Sequence, residues 1–158
     1  MINIIGKAPI NPILFYSGKI AGYITWILLI LSLLGINVID KISFGYNKYI
    51  SLIFLIVGLL LTIISLFNLG RSTRFGLPFE TTKLKTNGLY KICRNPMYLG
   101  LNSLTISAMI YSLNIWIILL GLYSLIVYHL IIRREEVFLE NRFGLEYTNY
   151  KKMVRRYL

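Results

Sequence analysis

The sequence has a single cysteine, Cys93, and a single histidine, His129. One cysteine excludes an intramolecular disulfide and a metal site built from several cysteines. The histidine follows Tyr128 at the end of an apolar run, a position typical of a packing residue that forms a hydrogen bond. A Ser–His–Asp triad would depend on this one residue. No metal site is predicted, and the chemistry must be sought elsewhere in the chain.

Charged residues are also scarce, at 15% of the 158 residues, whereas 56% are hydrophobic. There are 17 Lys and Arg against 6 Asp and Glu, which gives a net charge of +11. Because the hydrophobic residues form long uncharged blocks, the composition predicts one integral membrane domain over residues 1–158. In such a protein, excess Lys and Arg indicates orientation and attraction to anionic lipid, not binding of nucleic acid.

The uncharged blocks predict an all-α membrane fold with about four transmembrane helices. Residues 20–39 and 49–70 are each long enough for one span. Residues 96–132 also lack Asp, Glu, Lys and Arg, but they are too long for one helix. We expect a tight hairpin that breaks at residues 111–114, with spans at 96–112 and 114–132. A single bent or re-entrant segment is the alternative for this block.

One polar region separates the second and third uncharged blocks, and another follows the third block. The connection 71–95 holds six Lys and Arg, and the C-terminal segment 133–158 holds seven. With four spans both regions lie on one side, which the positive-inside rule makes cytoplasmic, together with both termini. We expect the fourth helix to continue past Ile132 and to stop at Gly144. Residues 145–158 then predict an amphipathic basic helix.

Two clusters in these regions could carry chemistry. One is Gly88-Leu89-Tyr90 followed by Arg94-Asn95-Pro96-Met97-Tyr98-Leu99-Gly100, in which Asn95 and Pro96 form a helix start. The other is Glu135-Glu136 followed by Phe143-Gly144, Tyr147 and Tyr150. Taken singly, they are typical of a membrane interface and of a helix-surface charge cluster. The predicted topology places both at one face of the membrane.

The ordered pattern of these residues resembles the isoprenylcysteine carboxyl methyltransferase family and its phospholipid methyltransferase relatives, over about the last 90 residues. Many members carry His at the position of Asn95, whose amide can still cap a helix and hydrogen-bond a ligand. The resemblance implies S-adenosylmethionine as the methyl donor. It also implies a set of cofactor-binding positions: Leu84, Tyr90, Asn95, Pro96, Met97, Tyr98 and a glutamate of the acidic pair, taken here as Glu135.

A sulfonium donor suits this assignment, because carboxylates and aromatic faces attract a cation. We assign Glu136 and Arg133 as catalytic residues, with an arginine orienting an anionic acceptor. One glutamate of the pair could face the cofactor while the other pairs with Arg133 or Arg94. The acceptor is expected to be a membrane lipid or a lipidated substrate, of isoprenylcysteine or phospholipid type. A sterol-reductase-like enzyme that uses NADPH and a non-enzymatic membrane scaffold are the alternatives.

Overall fold

The computed structural model describes residues 8–36, 38–42, 44–70 and 84–158. These residues form five α-helices and one 3₁₀ turn, Gly88–Lys91. The helices are α1 (Pro12–Leu33), α2 (Asn47–Leu69), α3 (Pro96–Ser112), α4 (Ile115–Phe143) and α5 (Leu145–Met153). The predicted all-α membrane architecture is therefore confirmed for the described part of the chain.

Three helices, α1, α2 and α4, are long and apolar enough to cross a membrane. Helix α3 has 17 residues, slightly fewer than a typical span needs. That α3 is a fourth span, and that the termini are cytoplasmic, stay predictions. In α4 the uncharged stretch ends at Ile132, so residues 133–143 form a polar extension beyond the membrane-spanning part.

Helix α1 begins about eight residues before the predicted span and ends before residue 39. The Asn11 side chain accepts a hydrogen bond from the Ile13 amide at 2.9 Å, and Pro12 occupies the first turn. This local cap starts the helix ahead of the predicted span 20–39. As a consequence Lys19, which directly precedes the predicted span 20–39, lies within α1.

The hairpin between α3 and α4 breaks where the sequence predicts. Helix α3 ends at Ser112, and Leu113 adopts a left-handed conformation with φ 46°. Asn114 then caps α4 by accepting a hydrogen bond from the Trp116 amide at 2.9 Å. The predicted stop at Gly144 is also present, with φ 53°. Two long helices thus run antiparallel and bring residues 133–143 back beside the start of α3.

The helices pack as two close pairs, α2 on α3 and α1 on α4. At Gly100 an added Cβ would lie 2.7 Å from the Thr62 backbone nitrogen, so the α2–α3 contact needs a glycine there. The core beneath the polar end of the bundle is formed by Phe15, Tyr98, Val127, Tyr128, Ile131 and Ile132. This core places the start of α3 and the end of α4 against each other.

Helix α5 is shorter than the predicted helix over 145–158. It ends at Met153, and Val154 is extended. The extended residues return to the start of α3, where the Arg94 amide donates to the Arg155 carbonyl at 2.8 Å. The carbonyls of Val154, Arg155 and Arg156 accept hydrogen bonds from residues 94 and 95 instead of from a continuing helix. Tyr147 and Tyr150 are buried, as the predicted apolar face requires.

Candidate active site

Glu136 lies at the centre of a cluster at the polar end of the bundle. Its Oε1 accepts from Arg94 Nε at 3.0 Å and from Asn95 Nδ2 at 3.2 Å. Its Oε2 accepts from Arg156 Nε at 2.9 Å and Nη2 at 2.7 Å. Only 4% of Glu136 is exposed. We call Glu136, Arg94, Asn95 and Arg156 the clamp, because they join α4, the start of α3 and the C-terminal segment.

The clamp keeps Glu136 ionised. Burial alone would raise the pKa of the Glu136 carboxyl, but the hydrogen bonds and charges of Arg156 and Arg94 outweigh it, and the pKa is lowered. Both carboxylate oxygens are occupied by these donors. Removing one partner of such a buried pair is costly, because the other charge stays buried without compensation.

The clamp also binds the C-terminal backbone. Arg94 Nη1 donates to the Val154 carbonyl at 2.6 Å and to the Lys151 carbonyl at 3.3 Å. Asn95 occupies the N-cap position of α3, but its side chain makes no capping bond. Its amide donates instead to Glu136 and to the Arg156 carbonyl, at 3.3 Å for the latter. Asn95 therefore holds the tail rather than capping the helix.

Glu135 has quite different surroundings. It is half-buried, and its Oε1 accepts a hydrogen bond from the Tyr98 hydroxyl at 2.8 Å. Burial raises the pKa of the Glu135 carboxyl to about 7, although the Tyr98 hydroxyl and the charge of Lys19 both lower it. Glu135 thus changes its charge near neutral pH. A carboxyl with such a raised pKa is a candidate functional group.

Tyrosines surround the two glutamates. The ring centroids of Tyr98 and Tyr128 are 5.7 Å apart, and those of Tyr147 and Tyr150 are 6.0 Å apart. The Tyr150 hydroxyl donates to the Tyr90 carbonyl, which ties the 3₁₀ turn to α5. Burial raises the pKa of Tyr150 to about 12 and raises the pKa of Tyr90 as well. Both phenols therefore keep their protons at neutral pH.

The structure brings most of the predicted site residues to one end of the bundle. Residues 95–98 start α3 beside Glu135 and Glu136, Tyr90 lies in the adjoining turn, and Leu84 is half-buried before it. Arg133 is exposed. Within the described ranges Glu136 forms its ion pairs with Arg94 and Arg156, and not with Arg133 as one alternative predicted. His129 is a packing residue whose Nδ1 lies 2.9 Å from the Tyr157 hydroxyl.

Sequence reasoning missed two charged residues at this end. Arg156 lies in the segment predicted to be an amphipathic basic helix, yet it is one of the two arginines that pair with Glu136 in the clamp. Lys19 directly precedes the predicted span 20–39, yet its charge lowers the pKa of the Glu135 carboxyl. The sequence indicated only that Arg156 lies in a basic segment at the same predicted membrane face as Glu136. Other basic residues of that segment share this property, so it does not identify Arg156.

The family model for phospholipid methyltransferases matches residues 46–146, which is almost two thirds of the chain. The chain belongs to the phospholipid methyltransferase family. Its matched segment covers α2, α3 and α4, including Tyr90, residues 95–98 and both glutamates. Helix α1 and the residues after Glu146 lie outside the match. Comparison with curated protein sequences and with solved structures gave no match.

Membership of the phospholipid methyltransferase family confirms the resemblance that the motifs carried. It indicates a membrane methyltransferase that acts on a lipophilic substrate, and it favours this class over the reductase and the scaffold. Three apolar helices long enough to span a bilayer agree with a membrane location.

Proposed function

We propose that this phospholipid methyltransferase family member transfers a methyl group from S-adenosylmethionine to a lipid acceptor at the cytoplasmic face. The observation that carries the proposal is the difference between two adjacent carboxylates. Glu136 is fully engaged by two arginines, whereas Glu135 has one hydroxyl partner and a pKa near 7. Glu135 is the carboxylate that a cationic ligand can use.

The residues at this end suit the donor chemically. S-adenosylmethionine supplies an electrophilic methyl group on a sulfonium cation, and it also carries an ammonium group. The Glu135 carboxylate and the faces of Tyr90 and Tyr98 attract such cations. The start of α3, residues 95–97, borders the same region. It and the segment around Leu84 would hold the remainder of the donor, as the family resemblance implies. Glu135 and Tyr98 are joined by a hydrogen bond, so the carboxylate is oriented in advance.

Glu136 is better described as a positioning residue than as the catalytic residue that the sequence suggested. Its oxygens hold Arg94, Asn95 and Arg156, and through them they hold the C-terminal segment over the start of α3. Positioning of this kind accelerates a two-reactant displacement by fixing the approach of the reacting groups. The exposed guanidinium of Arg133 lies two residues before Glu135 and remains a proposed contact for an anionic acceptor.

The acceptor is proposed to be a phospholipid amine or the carboxylate of a lipidated cysteine. The chain has a large lipid-facing surface, with exposed side chains along α1, α2 and α4 such as Ile20, Ile53 and Ile126. A lipid that arrives from the bilayer can reach the polar end along this surface. A carboxylate acceptor needs no proton removed before it attacks, whereas an ammonium acceptor must first lose a proton.

The test is calorimetric titration of S-adenosylmethionine into the detergent-purified protein and two variants. Glu135→Gln removes the charge that faces the donor, and we expect roughly tenfold weaker binding or more, from loss of a charge-assisted contact. Glu140→Gln is the matched control, because Glu140 lies on the same polar extension and pairs with Lys151. The control should bind like the wild type. Binding of a nicotinamide dinucleotide instead, or equal affinity in wild type and Glu135→Gln, would reject the proposal.

A further inference from the structure

The segment after α5 returns toward the membrane-spanning part of α4. Helix α4 leaves its uncharged stretch at Ile132 and ends its polar extension before Gly144. The Tyr157 hydroxyl nevertheless lies 2.9 Å from Nδ1 of His129, which is inside the uncharged stretch. The residues just before Tyr157 therefore lie near the boundary between the apolar and the polar part of α4. In a membrane protein this boundary is the level of the lipid headgroups.

Backbone contacts fix the two sides of this returning segment. The Arg94 amide donates to the Arg155 carbonyl at 2.8 Å, and Cys93 and Arg155 form an isolated parallel bridge. The Arg156 side chain points inward and donates to Glu136 at 2.7 Å, whereas Arg155 is exposed. Successive side chains of an extended chain point in opposite directions. The segment therefore presents one arginine to the clamp and the other to the surroundings of the protein.

Exposed apolar side chains lie on both chain segments that meet at this bridge. Met153 is 78% exposed and Ile92 is 60% exposed. Each is next to an exposed lysine in the sequence, Lys152 and Lys91 respectively. We call Lys91, Ile92, Lys152, Met153 and Arg155 the interfacial patch. It combines two large apolar side chains with three cations.

A single exposed apolar residue is common on any protein surface and needs no partner. The interfacial patch differs from that case in its charges as well as in its level. Within the part of the chain that the structure describes, Lys91, Lys152 and Arg155 form no ion pair. Cations beside exposed apolar side chains suit the membrane surface, where the apolar groups enter the acyl boundary and the cations meet phosphates.

The anchoring of the protein favours lipid as the partner over a soluble acidic protein. Helix α4 is long and apolar enough to cross a membrane, and the tail is bound to it through the clamp and through Tyr157. A patch at this level is held beside the headgroups at all times. The chain also has a net charge of +11, which attracts an anionic bilayer surface.

We propose that the interfacial patch binds the headgroups of anionic phospholipids. Met153 and Ile92 enter the acyl boundary, and Lys91, Lys152 and Arg155 contact the phosphates. The bound lipid lies on the outer side of the tail, whereas the clamp lies on its inner side, so this lipid is a structural ligand and not the methyl acceptor. The inference goes beyond the proposed function and depends neither on the donor nor on the acceptor.

The first test measures how deep the patch lies in a bilayer. Met153→Cys carries a nitroxide spin label in phosphatidylglycerol nanodiscs, and its accessibility to oxygen is compared with its accessibility to a water-soluble nickel chelate. Leu145→Cys is the matched control, because Leu145 is 81% exposed but directly follows Gly144 at the far end of the polar extension. Cys93 is only 2% exposed, and wild type treated with the same label measures its contribution.

We expect the label at Met153 to be more accessible to oxygen, which concentrates in lipid, and the label at Leu145 to be more accessible to the chelate. Equal access of the chelate to both labels would overturn the inference, because the patch would then lie in water. Ile92→Cys is the second labelling site if Met153→Cys does not fold, as judged by thermal unfolding.

The second test measures the preference for lipid charge by native mass spectrometry. Wild type and two double variants are mixed with phosphatidylglycerol and phosphatidylcholine of the same chains. One variant is Lys152→Gln with Arg155→Gln. The other is Lys41→Gln with Lys48→Gln, which removes the same charge at the other end of the bundle, where Lys41 Nζ lies 5.3 Å from the Tyr111 ring centroid.

We expect the wild type to prefer phosphatidylglycerol. Loss of two cations from the interfacial patch should reduce this preference by roughly tenfold, since each cation near a lipid surface contributes about fivefold. The change at the other end should reduce it by less than about twofold if the patch provides the main anionic lipid site. A wild type without preference, or equal loss in the two double variants, would overturn the inference, because general charge attraction would then explain the binding.

Discussion

The two ends of the helix bundle satisfy their polar groups in different ways. At the end where α3 meets α4, neutral side chains join the helices. Ser51 Oγ lies 3.0 Å from Ser107 Oγ, and the Asn47 amide donates to the Ile110 and Tyr111 carbonyls. Asn114 donates to the Asp40 carbonyl at 3.0 Å. Each of these contacts links a helix to a neighbour without burying a charge.

At the end where α3 begins, charged side chains join the helices. The buried Glu136 is paired with two arginines, and Glu135 lies beside it with a single hydroxyl partner. Buried ion pairs stabilise a fold less than their contacts suggest, because each charge loses hydration. This cost is consistent with the proposal that this end is organised for binding. Variants at each end, measured separately for stability and for donor binding, test whether the two ends differ in this way.

The largest effect is expected from Glu136→Gln. This change leaves the Arg94 side chain, which is 9% exposed, without its counter-ion. Breaking a buried pair of this kind costs about 3–5 kcal/mol. We expect the C-terminal segment to detach, which trypsin cleavage near Arg155 and Arg156 would detect together with a lower free energy of unfolding.

Glu140→Gln is the matched control for that variant. The Glu140–Lys151 pair is much more exposed, with 41% and 34% of the two side chains accessible, so its loss should cost less than about 1 kcal/mol. Equal tryptic cleavage of both variants would show that the clamp does not hold the tail.

A smaller effect is expected from pH, through Glu135. With a pKa of about 7, this carboxyl is mostly protonated at pH 6 and mostly ionised at pH 8. Affinity for a cationic donor should therefore rise by roughly tenfold over this range. Tyr98→Phe removes a hydrogen bond that favours the charged form, so the rise should move to higher pH. Calorimetric titration at several pH values measures both effects.

Glu135→Gln provides the reference for the pH series. The ratio of wild-type to variant affinity cancels any titration of the donor itself and isolates the contribution of Glu135. If this ratio stays constant between pH 6 and pH 8, Glu135 does not carry the charge that attracts the donor.

Local signals were sufficient to predict much of the fold. Asn95-Pro96, Asn114 and Gly144 each mark a helix end within a few residues, and the structure places helix ends there. Uncharged blocks predicted the helices, since an apolar stretch of this length has few alternatives. The start of α1 was missed, because the absence of charge was given more weight than the Asn11-Pro12 cap.

The partners of the charged residues were beyond local reasoning. Glu135 and Glu136 are adjacent in the sequence, but their directions on the helix bring one to Tyr98 and the other to Arg94 and Arg156. Which glutamate pairs with which arginine depends on contacts 20 to 42 residues apart. The extended tail has the same origin, since donors from the start of α3 replace the bonds of a continuing helix.

The smallest effect is expected at the neutral end. Ser107→Ala removes a hydroxyl that donates to the Ser51 carbonyl at 2.8 Å and lies 3.0 Å from Ser51 Oγ. Hydrogen bonds between membrane helices average only about 0.6 kcal/mol, because the separated helices find other partners. We expect a loss of that size in unfolding free energy and no change in donor affinity. A double-mutant cycle with Ser51→Ala isolates the pair. Weaker donor binding in Ser107→Ala would show that the two ends are coupled, because this residue is far along α3 from the clamp.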